Sequence, residues 1–384
     1  MFATRTQWNL SSNRLAKALE DVRGRGCELL DLTASNPTEC GFQYDGSSIL
    51  KALITPAVLK YHPDPRGLGS ARVAVQEYYE RRSEEVSVDD LILTTSTSEA
   101  YSFVFRLLCN PGDEVLVPTP SYPLFEFLAD IQDVRLVRYP LIYDHGWQID
   151  FHALEAAVTP RTRAVIVVHP NNPTGHFSKA EEINHFNQIC AARDLAIIAD
   201  EVFLDFPLNS GNRNSFIQND SSLTFTMSGI SKISGLPQMK FAWLAVSGPA
   251  TKKREALARL EVIADTFLSM NAAIQAAAPT LLAQRHGIQQ QLMARVRGNL
   301  AELDRQLSDQ KVCTRLEIEG GWYAVIRVPA IRSDEELALE LLQEGVYVHP
   351  GHFYDFSGEG YLVVSLITRE REFAEGIEKL MAHF

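Results

Sequence analysis

Three polar signatures stand at the ends of aliphatic runs in this chain. They are His169-Pro170-Asn171-Asn172-Pro173-Thr174-Gly175, Ala199-Asp200-Glu201-Val202-Phe203, and Ser228-Gly229-Ile230-Ser231-Lys232-Ile233-Ser234-Gly235. An amide, a carboxylate and a lysine in that order suit a cofactor held as an imine. A lysine amine condenses with an aldehyde, a carboxylate keeps a heterocyclic nitrogen protonated, and an amide donates to a ring oxygen. Such chemistry needs an amine able to lose its charge, so burial and neighbouring cations are expected to lower the pKa of Lys232. A lysine alone in a Ser/Gly loop is ordinarily a solvated surface residue. An aspartate closing Ile197-Ile198-Ala199 is costly to bury, which favours a chemical role for Asp200.

Other positions carry two readings. Asn172 suits an Asx turn ahead of Pro173 as well as a contact to a cofactor. Ser96-Thr97-Ser98 lies between an expected strand and a helix opening at Glu99, where its hydroxyls and N–H groups can cap the helix or cradle an oxyanion. His169, His349 and His352 lack metal-ligand spacing.

These groups need a scaffold. Leu91–Thr95, Glu114–Val117, Ala164–Val168, Leu195–Ala199 and Leu223–Met227 read as buried strands. Between them, Glu99–Cys109 and Lys179–Arg193 carry apolar residues at helical spacing. Alternation of this kind predicts an α/β fold, a mostly parallel sheet covered by helices on both faces. Ligands in such sheets gather beyond the carboxyl ends of the strands. Near residue 285 the pattern changes to a long charged helix (about Gln290–Leu307), the segment Gly320–Val328, an acidic helix from Ser333 and a closing strand, Tyr361–Ile367. We therefore expect a large domain over 46–284 and a small α+β domain made of 1–45 and 285–384.

The net charge of −12 argues against a nucleic-acid surface. No apolar run reaches the length of a membrane span, and the first residues have no signal-peptide core. Cys27, Cys40, Cys109, Cys190 and Cys313 form no CxxC or ligand pattern and read as small buried apolar residues in a reducing cytoplasm. Neither a GxSxG elbow nor a Walker loop occurs, so acyl and phosphoryl transfer are unsupported.

Taken together and in this order, the motifs resemble those of fold type I pyridoxal-phosphate enzymes, specifically class I/II aminotransferases, over nearly the whole chain. The resemblance implies an aspartate-aminotransferase-like fold with pyridoxal 5′-phosphate as cofactor, an amino donor and a 2-oxo acid as substrates, and a ping-pong cycle. It implies that Lys232 forms the internal aldimine and later shuttles a proton, that Asp200 pairs with the pyridinium nitrogen, and that Asn172 binds the ring oxygen. Tyr122, in Pro120-Ser121-Tyr122-Pro123, would stack on the ring. Ser96, Thr97, Ser98, Ser231 and Lys240 would hold the phosphate. Tyr61 resembles the tyrosine that reaches the phosphate from a second subunit, which implies a homodimer.

Two departures stand out. Many relatives have a tyrosine where this chain has Phe203, and losing that donor is expected to raise the pKa of the lysine–cofactor linkage. Relatives also carry Arg-hydrophobic-Ser on the final strand, the arginine clamping the substrate α-carboxylate. Here Val363-Val364-Ser365 puts a valine at that position, leaving Arg66, Arg327 and Arg369 as substitute cations or an unusual substrate. The same scaffold could also support a C–S lyase or a decarboxylase. A cofactor-binding regulator without catalysis ranks last, because residues 1–45 hold no DNA-reading module.

Overall fold

The computed structural model describes residues 1–209, 214–268 and 270–384. A short strand β1 (Leu30–Asp31) precedes an eight-stranded sheet of β2 (Leu91–Thr94), β3 (Glu114–Thr119), β4 (Arg135–Tyr143), β5 (Trp147–Ile149), β6 (Thr162–Val168), β7 (Ala196–Asp200), β8 (Thr224–Gly229) and β9 (Ala242–Ser247). Their spatial order is β2-β9-β8-β7-β6-β3-β4-β5. The middle of the sheet, from β4 through β3, β6 and β7 to β8, is parallel. β9 runs antiparallel between β8 and β2, and β5 folds back on β4.

The five expected strands are β2, β3, β6, β7 and β8 of this sheet, while β4, β5 and β9 were not expected. Phe241-Ala242-Trp243-Leu244-Ala245-Val246 is apolar throughout, so its sequence lacks the alternation that separates a strand from a buried helix segment. Trp243 is fully buried and donates from Nε1 to the Tyr79 hydroxyl at 2.9 Å.

Period-two alternation sends neighbouring residues of the central strands into two different cores. Ala164, Ile166 and Val168 of β6 and Ala196 and Ile198 of β7 pack with the helices Thr97–Leu108 and Ala250–Thr266. Val165, Val167, Ile197 and Ala199 face Phe186, Ile189 and Cys190 of helix Ala180–Arg193. By the same alternation Asp200 points towards the Thr97–Leu108 side.

Past residue 284 the chain forms helix Arg285–Ser308, which begins five residues before the expected start. Four strands follow: β10 (Thr314–Arg315), β11 (Tyr323–Arg327), β13 (His349–Pro350) and β14 (Tyr361–Ser365), in the order β10-β11-β14-β13. The remaining strand, β12 (Val346–Tyr347), pairs in parallel with β1. Helix Asp334–Gln343 starts at a capping box built by Ser333 and Glu336. It packs Ala338 and Leu342 against Leu15 and Val22 of helix Arg14–Gly24.

All five cysteines are free, but their burial is uneven. Cys40, Cys190 and Cys313 are buried as expected, whereas Cys27 is exposed and Cys109 is half-buried. Cys27 sits in the turn after the first long helix, where no core reaches it. Among the described residues no helix is long and apolar enough to cross a membrane.

Gly175 ties the loop after β6 to the segment before β11. Its φ is +72°, and a Cβ there would lie 2.5 Å from the Gly320 carbonyl oxygen. Both the left-handed backbone and the contact demand glycine. Gly175→Ala is expected to cost about 2 kcal/mol or more of stability and to lower the unfolding midpoint in a urea titration; an unchanged midpoint would show that this loop is not held as tightly as its geometry states.

Candidate active site

Four strand ends converge on one cavity of about 290 Å³. β2 leads into Thr95–Ser98, β6 into Asn172, β7 into Asp200 and β8 into Ser231 and Lys232, all of which line it. Lys240, Tyr122, Phe125, Phe203, Ser35 and Tyr323 complete much of its wall. Nine of the ten residues singled out from the sequence are thus brought together. Tyr61 is the exception: its side chain is 80% exposed and lies outside the cavity.

Lys232 occupies the single turn Ile230–Ile233, which opens at Gly229. Gly229 lets this turn sit close to β9, since a Cβ there would be 2.9 Å from the Ala242 Cβ. The Lys232 Nζ stands 5.5 Å from the Phe203 ring centre and 5.1 Å from that of Trp322. The residue is half-buried and lines the cavity, and its amine is partly desolvated. That desolvation lowers the lysine pKa to about 8, with the Asp200 charge pulling the other way. Among the described residues no ion pair joins the two groups.

Asp200 is 8% exposed, and burial raises its pKa to about 6. Two donors work against that rise: the Val202 N–H at 3.2 Å from Oδ1 and the Tyr101 hydroxyl at 3.1 Å from Oδ2. Tyr101 lies on helix Thr97–Leu108, on the side to which alternation directs Asp200. Nothing in the sequence marked this tyrosine, because on an amphipathic helix it reads as ordinary core.

Asn172 is carried by a loop with little freedom. His169 is fully buried; its Nδ1 accepts from the Ser178 N–H at 3.1 Å and its Nε2 donates to the Asn214 carbonyl at 3.0 Å. Burial, reinforced by nearby His176, drives the His169 pKa down to about 3, so the imidazole is neutral, as this donor–acceptor pair requires. His176 itself contacts Glu182 at 3.0 Å, and Glu319 accepts from the Phe177 N–H at 2.9 Å and pairs with Lys179. Within this clamp the Asn172 Oδ1 is buried without a partner among the described residues. That oxygen is an acceptor open to a bound donor, and the Nδ2 group is the end of the amide able to donate to a ring oxygen.

At the end of β2 a second device works. The Ser96 Oγ accepts from the Glu99 N–H at 3.2 Å while Glu99 accepts from the Thr95 N–H at 2.7 Å. The first-turn N–H groups of Thr97 and Ser98 lack intrahelical acceptors, as at any helix start, and both residues line the cavity. Lys240, held at φ 52°, adds a positive charge to the same cavity, and Ser231 adds a hydroxyl.

The residues present fit pyridoxal 5′-phosphate in kind: an amine of lowered pKa, a buried carboxylate, an uncommitted amide, an aromatic ring at Tyr122 and a helix start with a nearby cation.

Val363 is 1% exposed and is paired with Val325 and His349. Ser365, two residues on, pairs with Tyr323, so period two places Val363 on the same sheet face as Tyr323. None of the three substitute cations lines the cavity. Arg66 bonds Glu261 at 2.9 Å and the Asp89 carbonyl at 2.8 Å, Arg369 bonds the Glu39 carbonyl at 3.3 Å, and Arg327 is exposed at the end of β11. Besides Tyr101, sequence reasoning missed Thr95, Ser35, Tyr323 and Trp322, which carry no local motif.

Comparison with known proteins agrees with this geometry. The family model described as aminotransferase class I and II matches residues 44–380. A glutamate-pyruvate aminotransferase of Escherichia coli is 26% identical over 380 residues, covering 93% of each chain. An alanine aminotransferase of Mycobacterium bovis is 26% identical over 393 residues, covering 96% of this chain and 91% of that one. The solved alanine aminotransferase of Pyrococcus furiosus superposes with a TM-score of 0.89 over all of both chains at 23% identity, which speaks to the fold. With a match spanning most of its length, the chain belongs to the class I and II aminotransferases, pyridoxal 5′-phosphate-dependent enzymes that move an amino group to a 2-oxo acid.

Proposed function

We propose that Lys232 is the residue that carries the cofactor covalently and moves the proton during transamination, with the other cavity residues holding the cofactor around it. The observation that carries this reading is that Lys232, Asp200 and Asn172 line one cavity at the ends of neighbouring strands, where burial lowers the lysine pKa to about 8. At pH 7.5 a pKa of about 8 leaves roughly a quarter of the amines neutral, against about a thousandth at the ordinary value. A neutral amine can act as nucleophile and as base. Pyridoxal 5′-phosphate, when bound, supplies an aldehyde and an electron-withdrawing ring.

Asp200, kept charged near neutrality by Tyr101 and the Val202 N–H, would pair with the ring nitrogen. Asn172 would donate to the ring oxygen, and Tyr122 would cover one ring face. Thr97, Ser98, Ser231 and Lys240 would hold the phosphate, with Ser96 shaping that turn. A second copy would supply Tyr61. The exposed apolar side chains of Leu50, Ile54 and Leu59, next to Tyr61 in sequence, support a homodimer through this face. We also read 46–284 as the cofactor-binding domain and 1–45 with 285–384 as the small domain, a division supported by the pairing of β1 with β12. Five unpaired cysteines favour a reducing cytoplasm.

Borohydride reduction of the holoenzyme is expected to attach the cofactor to the peptide containing Lys232. Lys232→Ala should lose that label and drop transamination by roughly 10²–10⁴-fold or more; a label on another residue would end the assignment. Asp200→Asn tests the buried charge. The raised pKa means that the folded form holds its proton longer than the unfolded chain, so this group stabilises at low pH and ceases to as pH rises from 3.8 through about 6. Cofactor-free Asp200→Asn at pH 7.5 should therefore be more stable by about 1–3 kcal/mol, while binding the cofactor about tenfold or more weakly. Thermal melts and cofactor titration measure the two effects. Phe203→Tyr should lower the pH midpoint of the holoenzyme's visible absorbance by about one unit, through a new donor to the ring oxygen; an unmoved midpoint would remove that role for position 203.

A further inference from the structure

We propose that this site holds its amino substrate without a cationic clamp on the α-carboxylate, and that it accepts primary amines with an apolar body and no carboxylate. The inference deepens the assignment of the Lys232 cavity as the active site and rests on it.

The carrying observation is the sheet face of β11, β13 and β14 that presents Tyr323 to the cavity, with Val325, Val363 and Ser365 of the same face buried beside it. Tyr323 lines the cavity, and the pairings Tyr323 with Ser365, Val325 with Val363 and His349 with Val363 put all five on one face. Every member of that face is uncharged. Val363 is buried and apolar. The Ser365 hydroxyl is committed to the Ala34 carbonyl. His349 contacts the Tyr354 hydroxyl at 3.1 Å, and burial lowers its pKa to about 4, so it is neutral at pH 7.

Towards Lys232 the lining continues as Phe203 beside Tyr323, backed by the buried Trp322, which meets Phe203 edge-on at 5.2 Å. Lys232 and Lys240 are the cations lining the cavity among the described residues, and both have been placed on the cofactor. A substrate carboxylate lying against this wall would leave water without meeting a countercharge, and that desolvation is uncompensated. A substrate that lacks the carboxylate avoids the cost and still buries its apolar body against the aromatic rings. Ser35, Tyr122 and Tyr323 offer neutral hydroxyls to whatever polar group it carries.

The reaction balances as primary amine plus 2-oxo acid giving aldehyde plus amino acid. The amine carbon is oxidised to the aldehyde, the oxo carbon is reduced by the same two electrons, and the nitrogen changes carrier. The 2-oxo acid enters the same unclamped wall, so it is expected to need a high concentration for half-saturation.

Two measurements on wild-type holoenzyme test this. In single-turnover absorbance experiments, 2-phenylethylamine is compared with L-phenylalanine and pentylamine with L-norleucine. The proposal expects the amine to be as reactive as its amino acid or more, and at most tenfold less. A preference for the amino acid above tenfold, whatever group or neighbouring copy provides it, overturns the proposal. Calorimetric titration with 3-phenylpropionate and 3-phenylpropan-1-ol asks the same question without turnover: affinities within tenfold support it, and a propionate bound more than tenfold tighter overturns it. Should no donor alter the spectrum, the assignment of the cavity fails, yet the titration still decides the clamp. Val363→Arg should shift preference towards the carboxylate on the order of tenfold or more, the size expected for a paired charge. An unshifted preference in a variant that still binds the cofactor would overturn the placement of Val363 at the carboxylate.

Discussion

Removing water from one lysine and one aspartate is the constraint around which this molecule is arranged. Either group alone would be expensive to bury, and together they still do not form an ion pair. Instead both line one cavity, and the chain tempers each separately. Asp200 receives two donors that favour its charge, while burial disfavours the charge on Lys232 against the attraction of the Phe203 and Trp322 ring faces. The pKa of one group rises and that of the other falls, towards the range in which proton transfer is cheap. Such an arrangement costs stability and is retained because the chemistry needs it.

Holding those groups in place requires loops with little freedom. The loop bearing Asn172 is fixed from below by the neutral His169 and from the side by His176, Lys179 and Glu319. Glu319 belongs to the segment that leads into β11, so the cofactor side of the cavity and the β11–β14 sheet share one set of hydrogen bonds. Gly175 and Gly320 let the two backbones approach closely. Glu201, next to Asp200, plays a related part: burial raises its pKa to about 8, and it accepts from the Ser215 hydroxyl and the Phe216 N–H. That anchors the segment which supplies the Asn214 carbonyl to His169.

Much of this was readable from the chain and some was not, for reasons of distance and pattern. Asp200, Asn172 and Lys232 announce themselves because each is a polar residue closing an aliphatic run, and strand ends in parallel sheets are where ligands gather. Alternation along β6 and β7 was also implicit in the sequence, although their uniform apolarity hid which residues face which core. Tyr101 was invisible because its meaning comes from pairing across 99 residues with Asp200. Ser35 and Tyr323 were invisible for the same reason: each reaches the cavity only when distant segments meet, Tyr323 through the pairing of β11 with β14. β9 was missed because an apolar run without alternation suits a strand and a buried helix equally.

The two departures from the family pattern fall on one side of the site, Phe203 in the cavity lining and Val363 buried on the sheet face that carries Tyr323, which gives them a common physical meaning. Its polar end is made by Thr95–Ser98, Ser231 and Lys240, and suits a phosphate. At the other end Phe203 and Tyr323 line the cavity, backed by the buried Trp322 and the face carrying Val363. Phe203 replaces a hydroxyl donor and Val363 replaces a cation, so both changes lower the polarity on the substrate side while leaving the phosphate side intact. A low-dielectric wall beside Lys232 strengthens the desolvation that lowers its pKa. It also removes the partner that a carboxylate would need. One property, the loss of charge on that wall, thus eases the deprotonation of the amine and selects against the anion.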